Sequence, residues 1–175
     1  LIPLSAGQNG FSLFSNLGTL IRSSQSDLQL QAHQTQVAAV PQIPPMVLSH
    51  SQYVAIAEQD ATNVGISPLY FERQIQQESG FNPNAVSPSG AVGIAQFLPS
   101  TAAGMGIDPW DPVQALQGAA RMMANAYHQY GDYAKALAAY NAGSANLNRA
   151  VQSCGAQWLS CMPAETQNYV AIIMA

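Results

Sequence analysis

Charge is scarce in this chain. Lys and Arg number five, Asp and Glu nine, and charged residues make up 8% of 175 positions, against about 25% in ordinary soluble domains. A single lysine, Lys135, and a net charge of −4 leave no basic stripe for phosphate contacts. Nucleic-acid binding therefore has no electrostatic support. No apolar run approaches the roughly 18 residues of a membrane-spanning helix, which argues against an integral membrane segment. Cysteine is limited to Cys154 and Cys161. With no His or further Cys close by, a zinc site is disfavoured. Sustained period-two alternation of β-branched residues is also missing, so strands should be few.

What is present is apolar and neutral-polar. A hydrophobic fraction of 48% suffices for one domain with a real core. Gln, Asn, Ser and Thr must cover much of the surface, which suits uncharged polar ligands such as glycans. The chain begins at Leu1, and no basic region leads an apolar segment there. The expectation is a processed or excised piece of a longer protein.

Residues 1–48 differ from the rest. Leu13, Leu17, Leu20 or Ile21, and Leu28 form an imperfect helical stripe, and Pro41, Pro44 and Pro45 interrupt it as a linker. A tether or partner-packing arm is one reading and plain disorder the other. From residue 49 to 175 the pattern is helical almost throughout. Tyr53, Ile56 and Ala57 suggest a helix ending near Gly65. Asp111 and Pro112 open a helix in which Val113, Leu116, Ala120, Met123, Tyr127 and Tyr130 advance by three and four, and Gly131 closes it. Asp132 caps a shorter one carrying Tyr133, Leu137 and Tyr140, with Gly143 at its exit. Two more helices are expected, around Leu147 and Val151 and from about Ala164 onward. The predicted class is all-α.

One acid is placed where a helix would ordinarily refuse it. Ser67 and Pro68 read as an N-cap and first helical position and Gly80 as a left-handed stop, predicting a helix over 68–79. Phe71, Ile75 and Glu78 fall at i, i+4 and i+7, so Glu78 shares the apolar stripe. Burial and the negative end of the helix dipole both oppose its ionisation. A carboxyl protonated near neutral pH is what a general acid needs. The alternative is a glutamate ending its helix in solvent.

Three segments follow in order. Glu78-Ser79-Gly80-Phe81-Asn82-Pro83 comes with Ser87, Gly90, Ala91, Gly93 and Gln96; then Ala139-Tyr140-Asn141-Ala142-Gly143; then Glu165-Thr166 with Tyr169-Val170. From residue 49 onward the chain resembles the soluble lytic transglycosylase family, with its goose-type-lysozyme-like helical domain acting on peptidoglycan. The resemblance implies cleavage of the MurNAc-GlcNAc β-1,4 bond, in endo or exo fashion, with formation of 1,6-anhydroMurNAc and no cofactor. Glu78 would be the catalytic acid and then base. Ser87 and Gln96 would line the cleft, and Tyr140 would bring its hydroxyl to the acid. Asn141 would hold the backbone of its turn or simply end its helix. Glu165 would bind sugar or cap the last helix, with Tyr169 beside it at the far side of the groove. The family commonly has Gly-Leu-Met-Gln where this chain has Gly93-Ile94-Ala95-Gln96, so a wider or weaker sugar subsite is expected.

Two other functions stay open at this point. A hydrolytic muramidase would need a second carboxylate, with Asp108, Asp111, Asp132 and Glu165 available. A weakly active structural or glycan-binding part of a phage ejection, tail or secretion machine would use residues 1–48 for assembly. The expected location is extracytoplasmic, in the bacterial periplasm or envelope, or else in a virion. Cys154 and Cys161 are spaced to close a short loop, which would indicate an oxidising compartment, or are two ordinary thiols.

Overall fold

Capping residues set the helix boundaries. A computed structural model of the chain describes residues 48–175. The arm and linker expected over 1–48 lie outside the described residues, apart from Leu48. Helix α1 (His50–Asn63) opens with a reciprocal cap between Ser49 and Gln52. Helix α2 (Pro68–Ser79) starts at the Ser67 cap with Pro68 in its first turn and stops at Gly80, φ +62°. Helix α4 (Pro112–Tyr130) begins where the Asp111 carboxylate accepts from the Val113 and Gln114 amides. Helix α5 (Tyr133–Ala142) begins where Asp132 accepts from the Lys135 amide. Helices α6 (Ser144–Cys154) and α7 (Ala164–Met174) complete the expected set.

Two elements were not anticipated. Helix α3 (Pro99–Met105) is too short for periodicity to declare it, although Pro99 at its start and Gly106 at its stop are the same signals that mark α2. A 3-10 helix (Gly155–Cys161) follows α6, buries Trp158, and is spanned by a Cys154–Cys161 disulfide with Cα atoms 6.5 Å apart. Among the described residues no strand forms. The 81–98 segment has only isolated antiparallel bridges, Val86 to Val92 and Val92 to Phe97.

The core explains how the helices meet. Phe71, Ile75, Leu116, Met123, Leu137, Leu147 and Ile173 are fully buried. Between them Ala57, Ala61, Ala115, Ala119, Ala120, Ala136 and Ala138 are equally buried, and such small side chains let helix axes approach closely. Helix α4 packs on α1 and α5, α5 on α6 and α7, and α2 on α1 and α7. That last pairing brings the C-terminal turn of α2 against the last helix. Two segments far apart in sequence thereby form one wall.

Candidate active site

Glu78 lies in the last turn of α2 and faces an open cleft of about 550 Å³. Helices α5 and α7 and the 87–98 segment supply the other walls, and Met122 of α4 reaches in. Burial drives the Glu78 carboxyl from the ordinary range up to about 7; a hydrogen bond from Tyr169 opposes the rise and the charge of Glu165 adds to it. The Tyr169 hydroxyl donates to Glu78 Oε1 at 2.5 Å. A carboxyl with that affinity is about half protonated at neutral pH, so it can both give and take a proton.

The contact on the acid falls to a different tyrosine from the one expected. Tyr140 lines the cleft but donates its hydroxyl to the Ala95 carbonyl at 2.9 Å, while Tyr169 takes the place on Glu78. The packing of α7 on α2 is the reason. Both phenols are held well above their usual pKa, first by burial and then by the neighbouring Glu78 charge. Both are therefore neutral donors.

Asn141 follows the second of its two readings, lying in the last turn of α5. Its Oδ1 accepts from the Thr166 hydroxyl at 2.8 Å, so it fastens the end of α5 to α7 instead of holding its own turn. Glu165 sits exposed in the first turn of α7 and lines the cleft. It satisfies both earlier readings geometrically, being at a helix start and within reach of a bound molecule. The other acids are spent elsewhere: Asp111 and Asp132 cap helices, and Asp108 accepts from the Trp110 amide.

The wall opposite is built from backbone. Gly90, Gly93 and Gln96 all have positive φ, +84°, +77° and +51°. A side chain at residue 93 would put its Cβ 2.0 Å from the Pro109 carbonyl oxygen, so only glycine fits. Gln96 lines the cleft, yet its Nε2 is used on the Gly93 and Ala85 carbonyls. Ser87 likewise accepts from the Ala91 amide and pairs with Ser89. The Ser79 hydroxyl donates to the Ile94 carbonyl at 2.6 Å, beside the bond from Tyr140 to Ala95. Ala95, where an altered sugar subsite was expected, is fully buried and contributes no side chain to the cleft. Its part in the site is its carbonyl.

Several cleft residues escaped the sequence reading. Asn168 and Ile172 line it, and with Glu165 and Tyr169 they fall at i, i+3, i+4 and i+7. That face of α7 was legible from spacing once its first member was known. Leu98 and Ile172 place exposed apolar surface at the cleft. Phe81 and Tyr127 pack away from it: Phe81 lies buried edge-on to His50, and Tyr127 stacks on Tyr133. Cys154 and Cys161 lie beside a separate groove.

Comparison with known proteins gives a consistent picture. A family model described as Transglycosylase SLT domain matches residues 55–158. The transglycosylase of Enterobacteria phage PRD1 is 37% identical over 84 residues, covering 47% of this chain and 32% of that protein. Membrane-bound lytic murein transglycosylase D of Escherichia coli (strain K12) is 31% identical over 112 residues, covering 56% of this chain and 25% of that protein. The chain thus spans a third or less of the length of these two curated relatives. Among solved structures, the 70 kDa soluble lytic transglycosylase of Escherichia coli superposes with a TM-score of 0.61 at 24% identity, over 70% of this chain and 23% of that one. The fold is therefore of the lysozyme-like transglycosylase type.

Proposed function

Since the chain belongs to the Transglycosylase SLT domain family, we propose that it cleaves the MurNAc-GlcNAc β-1,4 bond of peptidoglycan as a lytic transglycosylase. The observation that carries the reading is Glu78, a carboxyl raised to about 7 by burial and steadied by Tyr169 in an open cleft. Protonated Glu78 gives its proton to the glycosidic oxygen as that bond breaks and positive charge develops at C1. The resulting carboxylate takes the proton of the muramic acid 6-hydroxyl as that oxygen bonds to C1. The product carries a 1,6-anhydro ring, no water is consumed, and the acid is restored.

The remaining cleft groups hold the sugar. Ser87, Gln96, Asn141, Glu165 and Tyr140 serve as polar lining, with Gln96 and Tyr140 acting mainly by shaping the loop. Leu98 and Ile172 offer apolar surface to sugar faces. Residues 49–175 act as the catalytic unit and residues 1–48 as an arm toward a larger assembly. The phage relative supports a virion setting, the Escherichia coli relative a bacterial envelope setting. The disulfide fits either, since both lie outside the reducing cytosol.

A hydrolytic outcome has one observation in its favour: Glu165 lines the same cleft and its charge acts on Glu78. Mass spectrometry of the soluble products from purified peptidoglycan separates the readings. Anhydro-muropeptides from the parent chain and none from Glu78→Gln are expected. Reducing-end products would replace the proposal with a muramidase, and glycan binding without release would replace it with a structural role.

A further inference from the structure

Gln74 is the least expected polar residue in the core. It lies one turn before Glu78 on the same face of α2 and is fully buried, at 0% exposure. Neither its Oε1 nor its Nε2 completes a hydrogen bond of ordinary geometry among the described residues. An amide left in that state is destabilising, and a methionine would fill nearly the same space with no polar group to satisfy. The amide does have a polar neighbour. Gln74 lies on α2, which packs on α7, the helix that carries Tyr169, and its side chain is the one influence that draws that phenol's pKa down.

We propose that Gln74 is a positioning residue, its amide holding the Tyr169 hydroxyl as a donor to the Glu78 carboxyl. This rests on the role given to Glu78 above. With an N–H directed at its oxygen, Tyr169 turns its own proton toward Glu78 Oε1 and does not become an acceptor for a protonated Glu78. The carboxylate form is favoured and its rotamer fixed. The other titratable groups facing Glu78 are Glu165 and Tyr169 on α7 and Tyr140 on α5. The 87–98 segment presents uncharged Ser87 and Gln96 to the cleft. Gln74 thus trades core stability for control of the proton on the acid.

The test is a 13C titration of the glutamate side-chain carboxyls by NMR, with the Glu78 resonance identified by its loss in Glu78→Gln. In Gln74→Met the Glu78 midpoint should rise by about half to one pH unit, while the melting temperature holds or increases. In a Tyr169→Phe background the same exchange should produce no further rise. In the parent chain the Gln74 side-chain amide resonances should titrate with the Glu78 midpoint, a readout that needs no variant to fold. An unmoved Glu78 midpoint, an equal rise without Tyr169, or an amide indifferent to pH would each overturn the proposal. None of these readouts requires turnover. Loss of the functional reading would show separately, as a parent chain that releases nothing from peptidoglycan.

Discussion

The two walls of the cleft are made differently. The α2–α7 wall places side chains where burial alters their chemistry: Glu78 rises to about 7, and Tyr169 and Gln74 lie withdrawn from water behind it. The 87–98 wall spends its polar side chains on its own backbone, through Ser87, Gln96 and the positive-φ turns at Gly90 and Gly93. One wall sets proton affinity and the other sets shape. Substitutions should therefore fail in different currencies: on the helical wall in pH dependence and rate, on the loop wall in stability.

The sharpest contrast comes from Glu78→Gln. It should lower turnover of peptidoglycan by about 10³-fold, in the range of general acid–base effects, while the circular dichroism spectrum stays that of the parent. On the loop wall, Gly93→Ala meets the Pro109 carbonyl at a backbone angle alanine disfavours. Backbone strain and overpacking together should remove about 3 kcal/mol or more, read by urea unfolding. A Gly93→Ala chain as stable as the parent would break the division between the walls.

The next effect is on stability against pH. The folded-state pKa of Glu78, about 7, lies above its ordinary value of 4.5, so the folded chain binds the extra proton between those values. Stability from this group is fully present below about pH 4.5 and is lost as pH rises through 7. Relative to the parent, Glu78→Gln should gain nothing at pH 4. Its gain should then grow by at most about 1.4 kcal/mol per pH unit up to pH 7. Paired urea melts across that window check the sign. For the reaction, kcat/KM should fall above about pH 7 as the acid loses its proton.

The smallest effects divide the two tyrosines. Tyr169→Phe removes a bond that favours the carboxylate, so the alkaline limb of kcat/KM should move up by about one unit. Tyr140→Phe breaks only the bond to the Ala95 carbonyl. It should lose about 1 kcal/mol of stability and leave that limb in place. A shift in the Tyr140 variant equal to that in the Tyr169 variant would erase the distinction.

Local chemistry was readable where it is local. The caps at Ser67, Asp111 and Asp132 and the stops at Gly80 and Gly131 follow from side-chain and backbone preferences alone. The stripe through Leu116, Ala120 and Met123 follows from period, as does the burial of Phe71 and Ile75 beneath Glu78. What escaped depends on how helices meet. Tyr140 and Tyr169 are equally plausible partners for an acid 62 and 91 residues away. Only the packing of α7 on α2 decides between them. The Asn141–Thr166 bond has the same origin, and so does the burial of Gln74, which composition would have assigned to the surface. Helix α3 was missed for a simpler reason, being too short to show a period.

The hydroxyls of Ser79 and Tyr140 grip the carbonyls of residues 94 and 95, not their side chains. Every amino acid carries that carbonyl. A change of side chain at either position leaves both hydrogen bonds available and acts through packing alone, since Ile94 and Ala95 are fully buried, whereas a change at Ser79 or Tyr140 removes the grip itself. The contour of this wall is thus held from outside the loop, by two hydroxyls on helices α2 and α5 that read its backbone and not its sequence.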